Sequence, residues 1–154
     1  MNPVGGKARR LIIGIGNPSR GDDALGPLAI ERLEALDPPD TELLTDFQLQ
    51  VEYLLDLDGR EETVFIDATV DPAVETFVFH GIRARRDDSF SSHELSPQAL
   101  LAAYENHYGR PSPPCFVLAI RGWRFDLGEG LSAAAAIGLE QALAFLSSRP
   151  RPDS

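Results

Sequence analysis

The sequence predicts an α/β protein, a three-layer α/β/α sandwich on a five-stranded, mostly parallel sheet with one antiparallel strand. Two runs, Leu11-Ile12-Ile13 and Thr63-Val64-Phe65-Ile66, are free of charge and β-forming, as strands buried on both faces must be. Between and after such runs, apolar residues recur at helical spacing, as in Leu25, Leu28, Ala29, Leu33 and Leu36, and again in Ala136, Leu139, Leu143 and Leu146. One pair of strands is separated by too few residues for a crossover helix, so one strand should run against the others.

The first element is the strand at Leu11, which Gly14 and Gly16 punctuate before the turn residues Asn17-Pro18-Ser19. Asp22 and Asp23 follow at once, and an amphipathic helix begins near Gly26-Pro27, with proline in its first turn. Asp37-Pro38-Pro39-Asp40 stops that helix, and residues 41–45 (TELLT) read as the second strand. Residues 50–57 offer a short helix with Val51, Leu54 and Leu55 on one face. The third strand, at Thr63, ends directly on Asp67. Asp71-Pro72 is a turn, and residues 76–82 (TFVFHGI) form a fourth strand, expected antiparallel to the third. A serine-rich loop containing His93 leads to Ser96-Pro97, a helix cap followed by proline at the first helical position, and Leu101, Tyr104 and Tyr108 give that helix its buried stripe. Residues 115–120 (CFVLAI) are the fifth strand, and a glycine-containing loop precedes the last helix from Ser132. Residues 11–146 thus read as a single domain, with flexible tails at 1–10 and 147–154.

Composition narrows the function. A chain of 154 residues is one domain and can bury about two-thirds of its unfolded surface. Cys115 is the sole cysteine, which excludes internal disulfides and a thiolate zinc cluster and fits a reducing, cytoplasmic setting. The apolar run after Lys7, Arg9 and Arg10 is too short for a signal peptide, and nothing reads as a membrane span. A formal net charge of -10 opposes nucleic acid or anionic lipid as the main partner. The expected partner is a small molecule or a protein, and the expected state is a monomer.

The chemistry concentrates where a strand meets a helix, the place where open α/β sheets bind ligands. A dinucleotide fingerprint fails, because Ser19 stands where a third glycine is needed; a phosphate loop fails, because no lysine follows Gly16. What remains is a carboxylate-bearing loop suited to a cation or to general acid/base work, with helix capping as the commoner task for one of the two aspartates. If the first and third strands are neighbours, Asp23 and Asp67 face each other across the switch-point crevice. Of three histidines, His80 in a strand and His107 near a helix end are explained by packing or exposure. A lone loop histidine is ordinarily surface. Grouped with Asp23 and Asp67, however, His93 completes a one-histidine, two-carboxylate set with positions open for water or substrate. Cys115 starts an apolar strand and reads as a core residue, and no Gly-x-Ser-x-Gly elbow is present.

These residues resemble those of the [NiFe]-hydrogenase maturation endopeptidases. The resemblance runs through Ile13-Gly14-Ile15-Gly16-Asn17 with Asp22-Asp23 and Gly26, through Phe65-Ile66-Asp67-Ala68 and Ser92-His93, to Gly128, Leu131 and Ser132. It implies a phosphorylase/hydrolase-like fold of the kind described above and places the family's metal-binding, catalytic residues on Asp23, Asp67 and His93. It also implies an aspartyl-type, metal-dependent endopeptidase that removes the C-terminal extension of a nickel-loaded large-subunit precursor, with nickel supplied by the substrate and cadmium or zinc as surrogates. Asp22, by the same resemblance, caps the helix or orients the loop.

One segment departs from the family pattern. Many members carry Asp-Gly-Gly-Thr after the second strand, whereas Asp46 here is followed by Phe47-Gln48-Leu49-Gln50. With Phe125-Asp126-Leu127-Gly128, that variant is more similar to the branch serving bidirectional, NAD-linked hydrogenases. Two other classes compete: a partner that senses nickel without cutting, and peptidyl-tRNA hydrolase, whose opening Gly14 to Pro18 matches but whose early histidine is missing.

Overall fold

The computed structural model describes residues 6–86 and 94–150. Its five strands are β1 (Arg10–Ile15), β2 (Thr41–Asp46), β3 (Glu62–Thr69), β4 (Phe77–Ile82) and β5 (Cys115–Arg121), arranged in one sheet in the order β2-β1-β3-β5-β4. All pairings are parallel except that of β4 with β5. Four helices, α1 (Leu25–Leu36), α2 (Leu54–Leu57), α3 (Pro97–Tyr108) and α4 (Ala133–Ser148), cover the two faces. The expected fold class is the one observed.

Alternation along the central strands decides which helix goes where. Ile12, Val64, Ile66, Leu118 and Ile120 point to one face and pack with α1 and α4. Leu11, Ile13, Ile15 and Phe65 point to the other and pack with Leu57 of α2 and Leu100, Leu101 and Tyr104 of α3. Because both faces are covered, these strands carry no solvent-facing alternation, which is why they read as unbroken apolar runs.

Several expectations need correction. The fourth strand pairs with β5 rather than with β3. A 3-10 turn at Gly21–Ala24 precedes α1, which starts at Leu25. Val51 and Leu55 are exposed, because the expected helix is a 3-10 turn at Val51–Tyr53 followed by a single α turn, and a period of three rotates the stripe away from the core. At the ends, Ala8 is buried and Lys7 Nζ donates to the Asp58 carbonyl at 2.9 Å, while Arg149 donates to both Glu62 carboxylate oxygens at 3.0 and 3.1 Å. The packed region therefore reaches past the expected boundaries at 11 and 146. Among the described residues, no helix is long and apolar enough to cross a membrane.

Candidate active site

Strand β1 lies between β2 and β3, and the connections leaving the carboxyl ends of β1 and β3 run to opposite sides, toward β2 and toward β4, which opens a crevice between those ends. Two close backbone approaches shape the corner. The hydrogen of Gly26 faces the Ile15 carbonyl so closely that a Cβ there would lie 2.4 Å from the oxygen. Gly16, at φ +147°, sits where a Cβ would meet the Asp23 carbonyl at 2.0 Å. Only glycine lets the strand end and the start of α1 touch in this way.

The two adjacent aspartates divide the work. Asp22 is fully buried, and its carboxylate accepts from the backbone N–H groups of Trp123 (2.7 Å), Arg124 (3.0 Å) and Ser132 (2.7 Å) and from the Ser132 hydroxyl (2.7 Å). Burial pushes its pKa up, but these bonds outweigh burial and hold the pKa below the usual carboxylate value. Asp22 thus ties the β1 loop to the segment before α4, and it does not cap α1, whose start has no side-chain cap bond. Asp23 is partly exposed, and its Oδ2 accepts from Asn17 N–H at 2.8 Å. Asn17 in turn accepts from Ser19 N–H at 2.9 Å, which folds the loop back over the strand end.

Asp67 sits within β3, opposite Ala119 of β5, rather than beyond the strand's tip. Its Oδ1 accepts from Ala68 N–H at 2.8 Å. Burial, first, and then the negative charges of Asp23 and Glu94 raise its pKa to about 7 against that single bond. Asp67, Glu94, Ile15, Gln48, Leu49 and Ser96 border a cavity of about 230 Å³ between the strand ends and the start of α3. Asp23 and Asp67 are therefore brought into electrostatic contact across the crevice, as expected from strand adjacency. His93, the third expected ligand, lies outside the described residues; its neighbour Glu94 borders the cavity beside Asp67. Among the described residues, no group of three His, Cys, Asp or Glu side chains is placed to hold a metal ion.

The remaining candidates fall away from the crevice. His80 is exposed on the edge strand β4, and His107 is exposed in the last turn of α3, edge-on to Tyr108. Cys115 is buried at the opposite end of β5, where burial pushes its thiol up to about 12, far from a reactive thiolate. Sequence reasoning missed Glu94 and Gln48 as cavity residues and the two hydrogen bonds that Ser132 donates to Asp22. Only Ser132 carried a local signal, as the cap of the last helix.

No family model matches the chain, and no curated protein sequence matches it either. Solved structures do. The [NiFe] hydrogenase maturation protease HycI from Thermococcus kodakarensis KOD1 superposes with a TM-score of 0.71 at 25% identity, over 93% of this chain and 92% of that one. This chain has the fold of the [NiFe] hydrogenase maturation proteases. The hydrogenase maturating endopeptidase HybD from E. coli gives the same TM-score, 0.71, at 23% identity, over 95% of this chain and 99% of its own. A hydrogenase 3 maturation protease follows at 0.67 and 14% identity, over 92% and 90%. Since coverage exceeds nine-tenths on both sides in HycI and HybD, the maturation-protease fold accounts for the whole described body. The resemblance carried by the glycine-rich loop and Asp67 reaches the same family by a separate route.

Proposed function

We propose that the chain is an endopeptidase of hydrogenase maturation, removing the C-terminal extension from the nickel-loaded precursor of a [NiFe]-hydrogenase large subunit. The observation that carries this reading is Asp67, a partly buried carboxylate crowded by Asp23 and Glu94 at the switch-point crevice of a maturation-protease fold. A perturbed carboxylate in that position is what a functional site produces and what stability alone would avoid.

The donors fit a divalent cation. A carboxyl kept protonated to about pH 7 by burial and by like charges ionises readily when a cation arrives, and an imidazole beside two carboxylates makes a set suited to a borderline metal such as nickel. Asp23 and Asp67, with His93 as the third, would hold the ion that the precursor brings with it. The nickel is thus part of the substrate, and cadmium or zinc would serve as surrogates. Once bound there, it supplies the Lewis acidity that polarises a scissile carbonyl or a water molecule.

The chain's own residues do the rest. Asn17 N–H fixes Asp23 and Asp22 locks the loop from behind, so the carboxylates that would meet the ion are held in place before the substrate arrives. Gln48 and Leu49, which stand in the segment that departs from the common family pattern, border the same cavity, so that departure acts at the site itself. Its similarity to the bidirectional, NAD-linked branch points to a cytoplasmic hydrogenase as the substrate's source, cut by a monomer.

The test is to incubate the protein with nickel-loaded precursor and follow the large subunit's mass. Loss of the tail is expected. A precursor that binds and keeps its full mass would contradict the reading and identify a partner that senses nickel without cutting.

A further inference from the structure

The edge of the sheet that holds Asp23 and Asp67 also carries large apolar side chains exposed to solvent. Phe47 (64% exposed), Val70 (66%), Trp123 (45%) and Leu127 (74%) all stand in segments leaving the carboxyl ends of β2, β3 and β5. Trp123 and Leu127 belong to neither core cluster. Apolar side chains gathered in solvent at the rim of a site mark a contact with another protein.

Trp123 is held rigidly. Its backbone N–H donates to the buried carboxylate of Asp22 at 2.7 Å, and the Arg121 guanidinium lies 5.1 Å from the centre of its ring. Arg121 is fixed in turn by the carbonyls of Val74 (3.0 Å) and Asp71 (3.3 Å), and Gly122 N–H donates to Thr69 at 2.9 Å, beside Val70. Next to Leu127, Gly128 N–H donates to the Ser19 carbonyl at 2.8 Å, which pins that loop to the one bearing the aspartates. A tryptophan-arginine pair already ordered before binding loses little entropy on contact, and these two residue types dominate binding energy at protein interfaces.

We propose that this rim, with Trp123 as its anchor, docks the folded body of the protein whose tail is cut at the crevice. The inference rests on the endopeptidase reading. Two features commit it to a folded partner with an apolar and acidic face. Segments leaving β2 and β5 are three strand spacings apart, roughly 14 Å, wider than one extended tail covers. Among the described residues, Arg20 and Arg121 hydrogen-bond to carbonyl oxygens and form no ion pair with a carboxylate, which leaves positive charge at this rim in a chain whose net charge is -10.

Trp123 is the only tryptophan in the chain, which makes the test direct. Protein carrying 5-fluorotryptophan gives one fluorine resonance, to be followed while unlabelled nickel-loaded precursor is added. The resonance is expected to shift or broaden, and Trp123→Ala and Arg121→Glu are expected to raise KM at least tenfold while kcat stays within twofold. A resonance that does not move and a KM within twofold, while the precursor is still trimmed, would overturn the docking surface and leave the endopeptidase reading standing. A shift without trimming would do the reverse. Neither shift nor trimming would remove both.

Discussion

A partly buried carboxyl beside two other carboxylates works against the fold that contains it. Asp67, with a pKa of about 7 in the fold against the ordinary aspartate value of 3.8, keeps its proton over that interval while the unfolded chain has released it. Stability is therefore lost as pH rises from about 4 to 7, and the loss is constant above 7. Asp67→Asn should raise the Tm of the metal-free protein at pH 8 by the equivalent of up to a few kcal/mol, at about 1.4 kcal/mol per pKa unit, and the gain should vanish below pH 4. Thermal unfolding across pH in the presence of a chelator checks this; a less stable variant at pH 8 would contradict it. Asp22 has the opposite sign. Its depressed pKa means a stabilising contribution that is complete above about pH 5 and lost as pH falls through the folded value. Asp22→Asn would turn a donor toward the four donors that now meet two oxygens, at a cost of roughly 2–4 kcal/mol read from urea unfolding. At a temperature where both variants stay folded, it should weaken trimming less than Asp23→Asn; equal abolition by both would assign Asp22 a direct role in the chemistry.

At the scale of elements, α4 is tied to the site by its cap. Ser132 Oγ accepts from Ala135 N–H at 3.2 Å and donates to Asp22 at 2.7 Å, so one hydroxyl begins a helix and holds a loop. Ser132→Ala removes both and should destabilise the protein by about 1–2 kcal/mol, measured by urea unfolding; a change within about 0.5 kcal/mol would mean that the hydroxyl holds neither. The strands themselves were legible because their apolar runs are a local property. Their neighbours were not. Residues 70–76 are too short for a crossover helix, which correctly makes β4 antiparallel, yet the slot beside β3 is taken by β5, which arrives only after α3. Likewise, Val51 and Leu55 match a helical stripe that a 3-10 turn then rotates into solvent.

Over the whole molecule, what the sequence revealed follows the reach of each interaction. Asp23 and Asp67 could be placed together because both sit at ends of adjacent parallel strands, a relation that periodicity and connection order predict. The work of Asp22 could not, because its partners Trp123, Arg124 and Ser132 are about a hundred residues away and three of the four bonds go to donors in the backbone, which every residue type carries. Glu94 gave no signal beyond being an acid near a histidine, and its charge matters only because α3 begins beside β3. The central claim is that Asp23, Asp67 and His93 act on a precursor that already carries nickel, and mass measurement of the large subunit tests it most directly. Wild-type protein should remove the tail from nickel-loaded precursor and leave nickel-free precursor whole, and Asp67→Ala with His93→Ala should slow trimming by roughly a hundredfold or more. Equal trimming of both precursors, or trimming that survives the double substitution, would contradict it.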